Sequence, residues 1–411
     1  MSSLLLKLKI SAEILFTQIR EHILGIFILG VGFLPGVFRE SFWSDDYTAL
    51  NETNSMAMHA LRDARPVQAL EVKFSYSFVV HSVADGWKLR TMAFIGLVCL
   101  YLYTVRRLAH IERRRFLEIG VATAFCTSSF QMQIHWATAW IFPWVSLLAW
   151  IAFDVWSSTF RFKKIISIFL MSISLLIYPL SSVFFISAVS VLAILRGETN
   201  RSVLKQLRDG FILLAVSSAF SAAVVFSAFK FLVIHANQRV GLVALSDLPT
   251  KVVWFLTRPI VIGLRPFQIS SPSSIQALLS ILPVLILFLV GVLATQKFQI
   301  RNSIFRVITV GISVSASLFP LLVTSPNEFE YRMISGYAWA VVVLIFFYLL
   351  QLNELREFFS SRWIRQGIDR LLSVLLICIT LLGIFTLNLY YFKFIGDPYT
   401  KKTAFFLTSI R

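Results

Sequence analysis

Long apolar runs alternate with short polar breaks along the chain, and many of these breaks are basic. A helix needs roughly 20 apolar residues to cross a bilayer, and runs of about this length recur from end to end. The pattern predicts an all-α polytopic membrane protein with about eleven membrane-spanning helices. The predicted spans lie near 22–38, 91–105, 116–133, 139–157, 165–178, 181–195, 211–229, 275–294, 304–323, 333–351 and 371–391.

The run at 165–195 is too long for one span and carries Tyr178-Pro179 at its centre. One long tilted helix is an alternative, but a proline inside a helix removes a backbone hydrogen bond and breaks or kinks it. We therefore expect two short helices joined by a tight turn.

Composition excludes most other classes of protein. Of the 411 residues, 57% are hydrophobic and only 14% are charged, and the mean hydropathy is +0.77. A soluble domain has about 25% charged residues, so a water-soluble globule is excluded. Disordered, collagen-like and disulfide-stapled secreted chains are excluded on the same ground. The three cysteines fall inside apolar runs and indicate neither a disulfide framework nor a metal site.

The formal charge of +17 reflects the orientation of the chain in the membrane rather than nucleic-acid binding. More than half of the 38 Lys and Arg residues fall in one set of alternate loops, which the positive-inside rule assigns to the cytoplasm. The N-terminus is then cytoplasmic, the C-terminus lies outside, and residues 1–411 form a single membrane domain. Two long non-spanning regions, 39–90 and 230–274, face outward. No GxxxxGK[ST] motif is present, so ATP-driven transport by this chain alone is not expected.

Two adjacent carboxylates, Asp45 and Asp46, follow the first apolar run between Trp43 and Tyr47. Charged groups near membrane depth are rare and tend to be functional. Adjacent side chains on a helix diverge by about 100°, so we expect one aspartate to face a cavity and the other to hold the loop. An exposed acidic pair in an ordinary loop is the alternative.

Two amphipathic stretches follow this acidic pair. Both are too polar to span a bilayer, so each is predicted to be a helix in the plane of the interface. Pro66 is well placed to begin the second helix. The apolar positions at helical spacing are Leu50, Thr53, Ala57 and Leu61, then Val67, Leu70, Phe74 and Phe78.

Four short motifs carry a resemblance to a known family: Ser44-Asp45-Asp46-Tyr47, Arg65-Pro66, Tyr178-Pro179, and Glu330-Tyr331-Arg332 through Tyr337. With the hydropathy and loop order, they make the chain similar to the GT-C class of glycosyltransferases. More narrowly, it resembles the bacterial O-antigen glucosyltransferases of the phage serotype-conversion type. Members of that family often have Gly before the Arg-Pro pair, where this chain has Ala64.

The resemblance implies an inner-membrane enzyme that modifies lipopolysaccharide. It would move a hexose, with glucose as the expected sugar, from a polyprenyl-phosphate donor to O-antigen or another surface glycan on the periplasmic side. The implied partners are a small flippase and an enzyme that synthesises the donor. No cofactor is implied.

Transfer from such a donor needs a base for the acceptor hydroxyl and cations for the departing phosphate. Asp45 or Asp46 is the predicted base of a single inverting displacement, with a slight preference for Asp46. Arg332 is the first candidate for the phosphate, and an interfacial anchor paired with Glu328 or Glu330 is its alternative. The other candidate cations are Arg65, Lys230, Arg258 and Arg265, and snorkelling towards the interface is the alternative for the last three.

Sugar or acceptor binding is predicted for aromatic and polar residues at the outer surface, although Trp and Tyr also populate membrane interfaces without a ligand. No set of side chains has metal-ligand spacing, so no metal is predicted, although Asp45 could bind a divalent cation. The predicted sugar-binding or acceptor-binding residues are Trp43, Tyr47, His135, Trp136, Glu330 and Tyr331.

Two other classes of protein fit parts of the pattern. A flippase or secondary transporter also has many helices, but it would place charge at mid-bilayer depth and show inverted repeats. An O-antigen polymerase or ligase also works at the outer surface with arginines, but its large outer loop comes late in the chain. The acidic loop after the first span favours a GT-C transferase.

Overall fold

A computed structural model describes residues 19–39, 44–108, 111, 114–237, 241–267, 274–296, 299–324, 327, 331–352 and 362–390. The regular structure within these ranges is helical, and the only β-pairing there is an isolated bridge between Leu242 and Thr324. The predicted all-α class is therefore confirmed for the described part of the chain.

The helices of the first half include three in the first loop. The described helices of this half are α1 (Ile23–Val37), α2 (Ser44–Asn51), α3 (Thr53–Arg62), α4 (Pro66–Phe78), α5 (Gly86–Arg106), α6 (Arg114–Phe125), α7 (Ser128–His135), α8 (Phe142–Ser157), α9 (Lys163–Ile177), α10 (Pro179–Ser182) and α11 (Phe184–Leu195). The three in the first loop are α2, α3 and α4.

The second half begins with the longest helix described. Its helices are α12 (Asn200–Leu232), α13 (Leu248–Phe255), α14 (Val261–Gly263), α15 (Ser274–Thr295), α16 (Ile300–Ser315), α17 (Phe319–Val323), α18 (Ser335–Leu352) and α19 (Arg362–Tyr390). Short 3-10 turns and one π turn join several of them. The 3-10 turns are Val83–Asp85, Ala137–Ala139, Leu245–Asp247, Ala316–Leu318 and Tyr331–Ile334, and the π turn is Leu256–Ile260.

Five helical stretches of the described residues are long and apolar enough to cross a membrane. Described helices overlap each of the eleven predicted runs, but several are shorter than a full span, so the count of eleven is not confirmed. The five stretches are Val83–Arg106, Ala137–Ser157, Asn200–Leu232, Arg301–Val323 and Arg332–Gln351. Shorter apolar helices lie at Ile23–Val37, Pro179–Leu195, Ile281–Thr295 and Ser373–Thr386.

The predicted span at 116–133 is divided into α6 and α7. Thr127 interrupts it with an extended backbone, φ −97° and ψ 159°. Thr127, Ser128 and Ser129 are residue types whose side chains compete for backbone hydrogen bonds and favour helix starts over helix interiors. Neither the Thr127 nor the Ser129 hydroxyl has a hydrogen-bond partner among the described residues, so no side-chain cap starts α7.

The predicted break at Tyr178-Pro179 is confirmed. Tyr178 is extended, with φ −153° and ψ 100°, and separates α9 from α10. The Ser174 hydroxyl donates a 2.7 Å hydrogen bond to the Ser182 hydroxyl across the turn. The chain therefore reverses direction here and places the Tyr178 ring at one end of the bundle.

The core of the bundle is centred on α18, which is almost entirely buried. Close approach of its neighbours depends on glycine. An added methyl group at Gly120 of α6 would lie 2.7 Å from Phe346, and one at Gly291 of α15 would lie 2.5 Å from Tyr348. Small residues allow helix backbones to approach closely where no hydrophobic force drives them together in lipid.

The first loop folds as three helices rather than the two predicted, because α2 precedes the two amphipathic ones. Pro66 begins α4 as predicted. On α4 the predicted apolar stripe is exposed, with Leu70, Phe74 and Phe78 at 69%, 60% and 71% exposure, while the opposite face packs into the protein. An exposed apolar stripe on one face is what an interfacial helix presents to lipid.

Candidate functional site

One cavity of about 300 Å³ lies where the first loop meets the end of the helix bundle. That volume is at the lower end of the range for small-molecule sites. Segments far apart in sequence form its wall, and both charged and apolar side chains line it. They include Asp45, His59, Asp63, Arg65, Gln68, Trp136, Thr138, Phe142, Tyr178, Leu242, Leu321 and Arg332.

Asp46 is fully buried and holds the first loop to the segment after α7. One carboxylate oxygen, Oδ1, accepts hydrogen bonds from the Thr138 N–H at 2.7 Å and the Tyr76 hydroxyl at 3.2 Å. The other, Oδ2, accepts from the Ala137 N–H at 3.3 Å. Burial and the charge of Asp46 together raise the pKa of Tyr76 well above its usual value. These contacts make Asp46 the attachment point of the loop.

Asp45 is half-buried and lines the cavity. It lies in the first turn of α2, one residue before Asp46. Since neighbouring side chains on a helix diverge by about 100°, attachment of Asp46 to the bundle leaves Asp45 on the cavity side. Asp45 is therefore the member of the acidic pair that a ligand in the cavity can reach.

Two arginines that are far apart in sequence meet aromatic rings at the cavity wall. The Arg332 guanidinium lies 4.0 Å from the centroid of Trp136 and 5.8 Å from that of Tyr178. The Arg65 guanidinium lies 5.0 Å from the centroid of Tyr178. Phe142 stacks on Tyr178 at 3.9 Å with 9° between the planes. Each ring attracts its guanidinium and fixes its position.

Asp63 ties Arg65 to a second segment of the chain. Its carboxylate lies 3.7 Å from the Arg65 guanidinium and 3.6 Å from the His59 ring nitrogen Nε2. It also accepts a 2.5 Å hydrogen bond from the Asn237 side-chain amide. The Asn237 N–H donates to the Arg62 carbonyl at 3.0 Å. This network joins the loop to the segment after α12.

Two buried hydroxyls on the wall have no hydrogen-bond partner among the described residues: Tyr178 OH and Thr138 Oγ1. Their residues are 1% and 3% exposed. A buried hydroxyl without a partner is costly, and a ligand with several hydroxyl groups would supply partners for both. We did not predict either residue as a ligand contact. The sequence singled out Tyr178 as part of a turn and of a short family motif, and no sequence signal pointed to Thr138.

Several predicted site residues lie away from the cavity wall. His135 is buried against α1, with its Nε2 3.3 Å from the Phe33 carbonyl, and burial lowers its pKa to about 3. Tyr47 packs in a small apolar cluster around Val72 and Tyr76. Two of the predicted cations, Lys230 and Arg258, are exposed, and Arg265 is half-buried; none of these three lines the cavity.

Trp43 and Glu330 lie outside the described residues, and so does the side chain of Tyr331. Of the predicted set, the cavity therefore collects Asp45, Arg65, Trp136 and Arg332, which come from positions widely separated in the chain.

Another carboxyl group of the first loop, that of Glu71 on α4, is buried against Trp140. The Ser75 hydroxyl donates to its Oε1 at 2.8 Å, and the Trp140 indole N–H donates to the same oxygen. The other oxygen, Oε2, is buried without a partner among the described residues. Burial of this carboxyl group raises the pKa of Glu71 to about 7, against the smaller opposing effect of the two hydrogen bonds.

Within the described ranges, His, Cys, Asp and Glu side chains do not cluster in groups of three or more that could hold a metal ion. The comparisons with known proteins add nothing to this geometry: the chain matches no family, no curated protein and no solved structure.

Proposed function

We propose that this protein is an inverting glycosyltransferase of the GT-C type. It moves a hexose, with glucose as the expected sugar, from a polyprenyl-phosphate donor to a surface glycan such as O-antigen. One observation carries the proposal: Asp45 and Arg65 of the first loop line a single cavity with Arg332, which is far from both in sequence. A carboxylate and two guanidinium groups are the side chains that this transfer needs.

Asp45 is the proposed general base. It lines the cavity, whereas Asp46 is fully buried and accepts hydrogen bonds from the Ala137 and Thr138 N–H groups. A base must come within hydrogen-bond reach of the hydroxyl that it deprotonates. This geometry favours Asp45 over Asp46, the reverse of the preference drawn from sequence.

Arg332 and Arg65 are the proposed partners of the donor phosphate. Both reach the same Tyr178 ring, at 5.8 and 5.0 Å from its centroid. Guanidinium groups bind phosphate oxygens through a planar pair of N–H donors. The leaving polyprenyl phosphate gains negative charge as its bond to the sugar breaks, and these two cations would stabilise it.

The reaction is a single displacement at the anomeric carbon. The acceptor hydroxyl gives its proton to Asp45 as its oxygen bonds to that carbon, and the bond from the carbon to the phosphate oxygen breaks. The electron pair of that bond leaves with the polyprenyl phosphate. The Trp136 ring, Tyr178 OH and Thr138 Oγ1 would contact the sugar or the acceptor.

The setting proposed for this reaction is the periplasmic side of a bacterial inner membrane. The N-terminus would then be cytoplasmic and the C-terminus periplasmic. A flippase that delivers the donor and an enzyme that makes it remain the proposed partners.

The proposal is tested by transfer assays on the purified chain with polyprenyl-phosphate glucose and a lipopolysaccharide acceptor. Glycan analysis of cells with and without the gene tests the same function in vivo. We expect Asp45→Asn to lose at least about 100-fold in kcat, as removal of a general base does. Glu52→Gln removes an exposed carboxylate of the same loop outside the cavity and is the matched control, with unchanged activity expected.

Two results would count against the proposal at different levels. Full activity in Asp45→Asn would exclude Asp45 as the base. An unchanged surface glycan in cells that lack the gene, together with no transfer by the purified chain, would reject the glycosyltransferase.

A further inference from the structure

A second cavity of about 500 Å³ lies at the opposite end of α8 from the first. Phe142, at the start of α8, lines the first cavity, and Ser157, at its end, lines the second. The 16 residues of this helix are about 24 Å long. The ends of α8 and α11 and the starts of α9 and α12 surround the second cavity. The orientation predicted from the basic loops puts this end at the cytoplasmic surface.

Cations outnumber acids on the wall of the second cavity. Its five cations are Arg107, Lys163, Lys164, Arg196 and Lys205, and its two acids are Asp154 and Asp209. Both acids already have arginine partners: Arg107 pairs with Asp154, and Arg208, which lies outside the cavity, pairs with Asp209 at 2.9 Å. A further carboxylate, that of Glu198, lies beside the wall and pairs with Arg196 at 3.8 Å. The cavity still has a net positive charge, because its five cations outnumber these three acids.

Two lysines on this wall, Lys164 and Lys205, can contact an anion. Lys164 lies 3.1 Å from the centroid of the Trp156 ring, and neither Lys164 nor Lys205 forms an ion pair with a carboxylate in the described part of the chain. Beside Lys205, the Ser202 hydroxyl and the Gln206 amide donate to the Glu198 carboxylate at 2.5 and 2.8 Å. The two ammonium groups suit a phosphate oxygen, which forms short, charge-assisted hydrogen bonds with ammonium donors.

An exposed apolar stripe leads away from the cavity along α12. Ile212, Val216 and Phe220 recur every four residues and are 43%, 43% and 51% exposed, beginning one turn after Asp209. On α9, Ile165 and Phe169 follow Lys164 in the same way, at 69% and 57% exposure. A soluble anion has no apolar group to pack on such a surface, whereas the acyl chains of a lipid would lie on it.

We infer that the second cavity binds the phosphate headgroup of an anionic phospholipid whose acyl chains lie along α9 and α12. Basic pockets between helices at a cytoplasmic surface bind anionic headgroups in this way. The site is independent of the proposed transferase reaction, because it lies at the other end of α8 and shares no lining residue with the first cavity.

Lipid binding to the purified full chain in detergent tests the inference, with native mass spectrometry and titration as readouts. The probes are phosphatidylglycerol, phosphatidylcholine and inorganic phosphate. We expect phosphatidylglycerol to bind at least about tenfold more tightly than phosphatidylcholine, with an affinity that falls as salt rises. Inorganic phosphate at millimolar concentration should not displace it, because it lacks acyl chains.

The double variant Lys164→Gln with Lys205→Gln should weaken phosphatidylglycerol binding about tenfold and leave phosphatidylcholine unchanged. The control is Arg201→Gln with Arg301→Gln, which removes two exposed charges from the starts of α12 and α16 outside the cavity. The control should bind phosphatidylglycerol as the wild type does.

Three results would overturn the inference. They are equal affinity for the two lipids, equal loss of affinity in the lysine variant and the control, and displacement of phosphatidylglycerol by inorganic phosphate. The last would identify a site for free phosphate instead. Because no result depends on sugar transfer, failure here is distinct from failure of the proposed function.

Discussion

The Arg332 guanidinium lies 4.0 Å from the centroid of the Trp136 ring, and this contact joins the segment before α18 to the segment after α7. Interactions of this kind contribute about 0.5–2 kcal/mol, and more when they are shielded from water. The Trp136 ring therefore holds the guanidinium at the cavity wall, where the proposed donor phosphate would bind.

Two substitutions of Arg332 should distinguish the effect of its positive charge from the effect of its planar guanidinium group. Arg332→Lys keeps the positive charge but loses the planar pair of donors and most of the stacking, so we expect the KM for the donor to rise about tenfold. Arg332→Gln loses the charge as well, so we expect its KM for the donor to rise further. Steady-state kinetics with varied donor measure both. Equal kinetics in wild type and Arg332→Gln would contradict a role in phosphate binding.

The two aspartates should differ in their effects on stability. In Asp46→Asn, a single carbonyl oxygen would replace the two oxygens that accept from Thr138, Tyr76 and Ala137. We expect this variant to lose roughly 1–3 kcal/mol of stability, the cost of a buried donor left without an acceptor. Asp45→Asn should unfold close to the wild-type temperature. Thermal unfolding in detergent compares the two, and identical stabilities would contradict the anchoring role of Asp46.

Gly36 should not tolerate a side chain. A methyl group there would lie 2.2 Å from the His135 ring nitrogen Nε2, and the buried ring has no room to retreat. We expect Gly36→Ala to destabilise the protein by roughly 1–3 kcal/mol, as overpacking of a core does. Gly30→Ala on the same helix is the control, because its nearest contact would be an ordinary 3.5 Å. Unfolding temperatures of the two variants should therefore differ by several degrees.

Ala64 has a left-handed backbone, with φ 62°, between Asp63 and Arg65. This conformation costs an L-residue roughly 1 kcal/mol, whereas glycine adopts it readily. Ala64→Gly should therefore raise stability by about 0.5 kcal/mol or more. Ala57→Gly, inside α3, should lower it by about 1 kcal/mol. If both substitutions lower the unfolding temperature alike, the conformation of Ala64 carries no strain.

Glu71 should make stability depend on pH near neutrality. Its pKa is raised from about 4.5 to about 7 by burial, so the folded protein holds a proton that the unfolded chain releases. Stability from this group is complete below pH 4.5 and is lost as pH rises through 7. Glu71→Gln should then exceed the wild type by a few degrees in unfolding temperature at pH 9 and match it near pH 5. The same difference at both pH values would contradict the raised pKa.

Short-range features of the fold could be predicted from sequence. Pro66 begins α4, because its fixed φ and missing N–H suit the first turn of a helix. Tyr178-Pro179 separates α9 from α10, because a proline inside a helix removes a backbone hydrogen bond. The division of the third run at Thr127 was missed, because the side-chain competition there is weak and is decided by the surrounding packing.

The sequence by itself determined that the chain is apolar and helical, that an acidic pair follows the first run, and that cations collect in alternate loops. These properties depend on residue type and on neighbours within a few positions. Only the tertiary structure decided that Asp46 is anchored to residues 137 and 138 while Asp45 lines the cavity, and that His135 turns towards α1 while Trp136 meets Arg332. Those outcomes depend on packing between segments that are more than 90 residues apart in the chain, and no local pattern encodes which of two adjacent side chains such packing will bury.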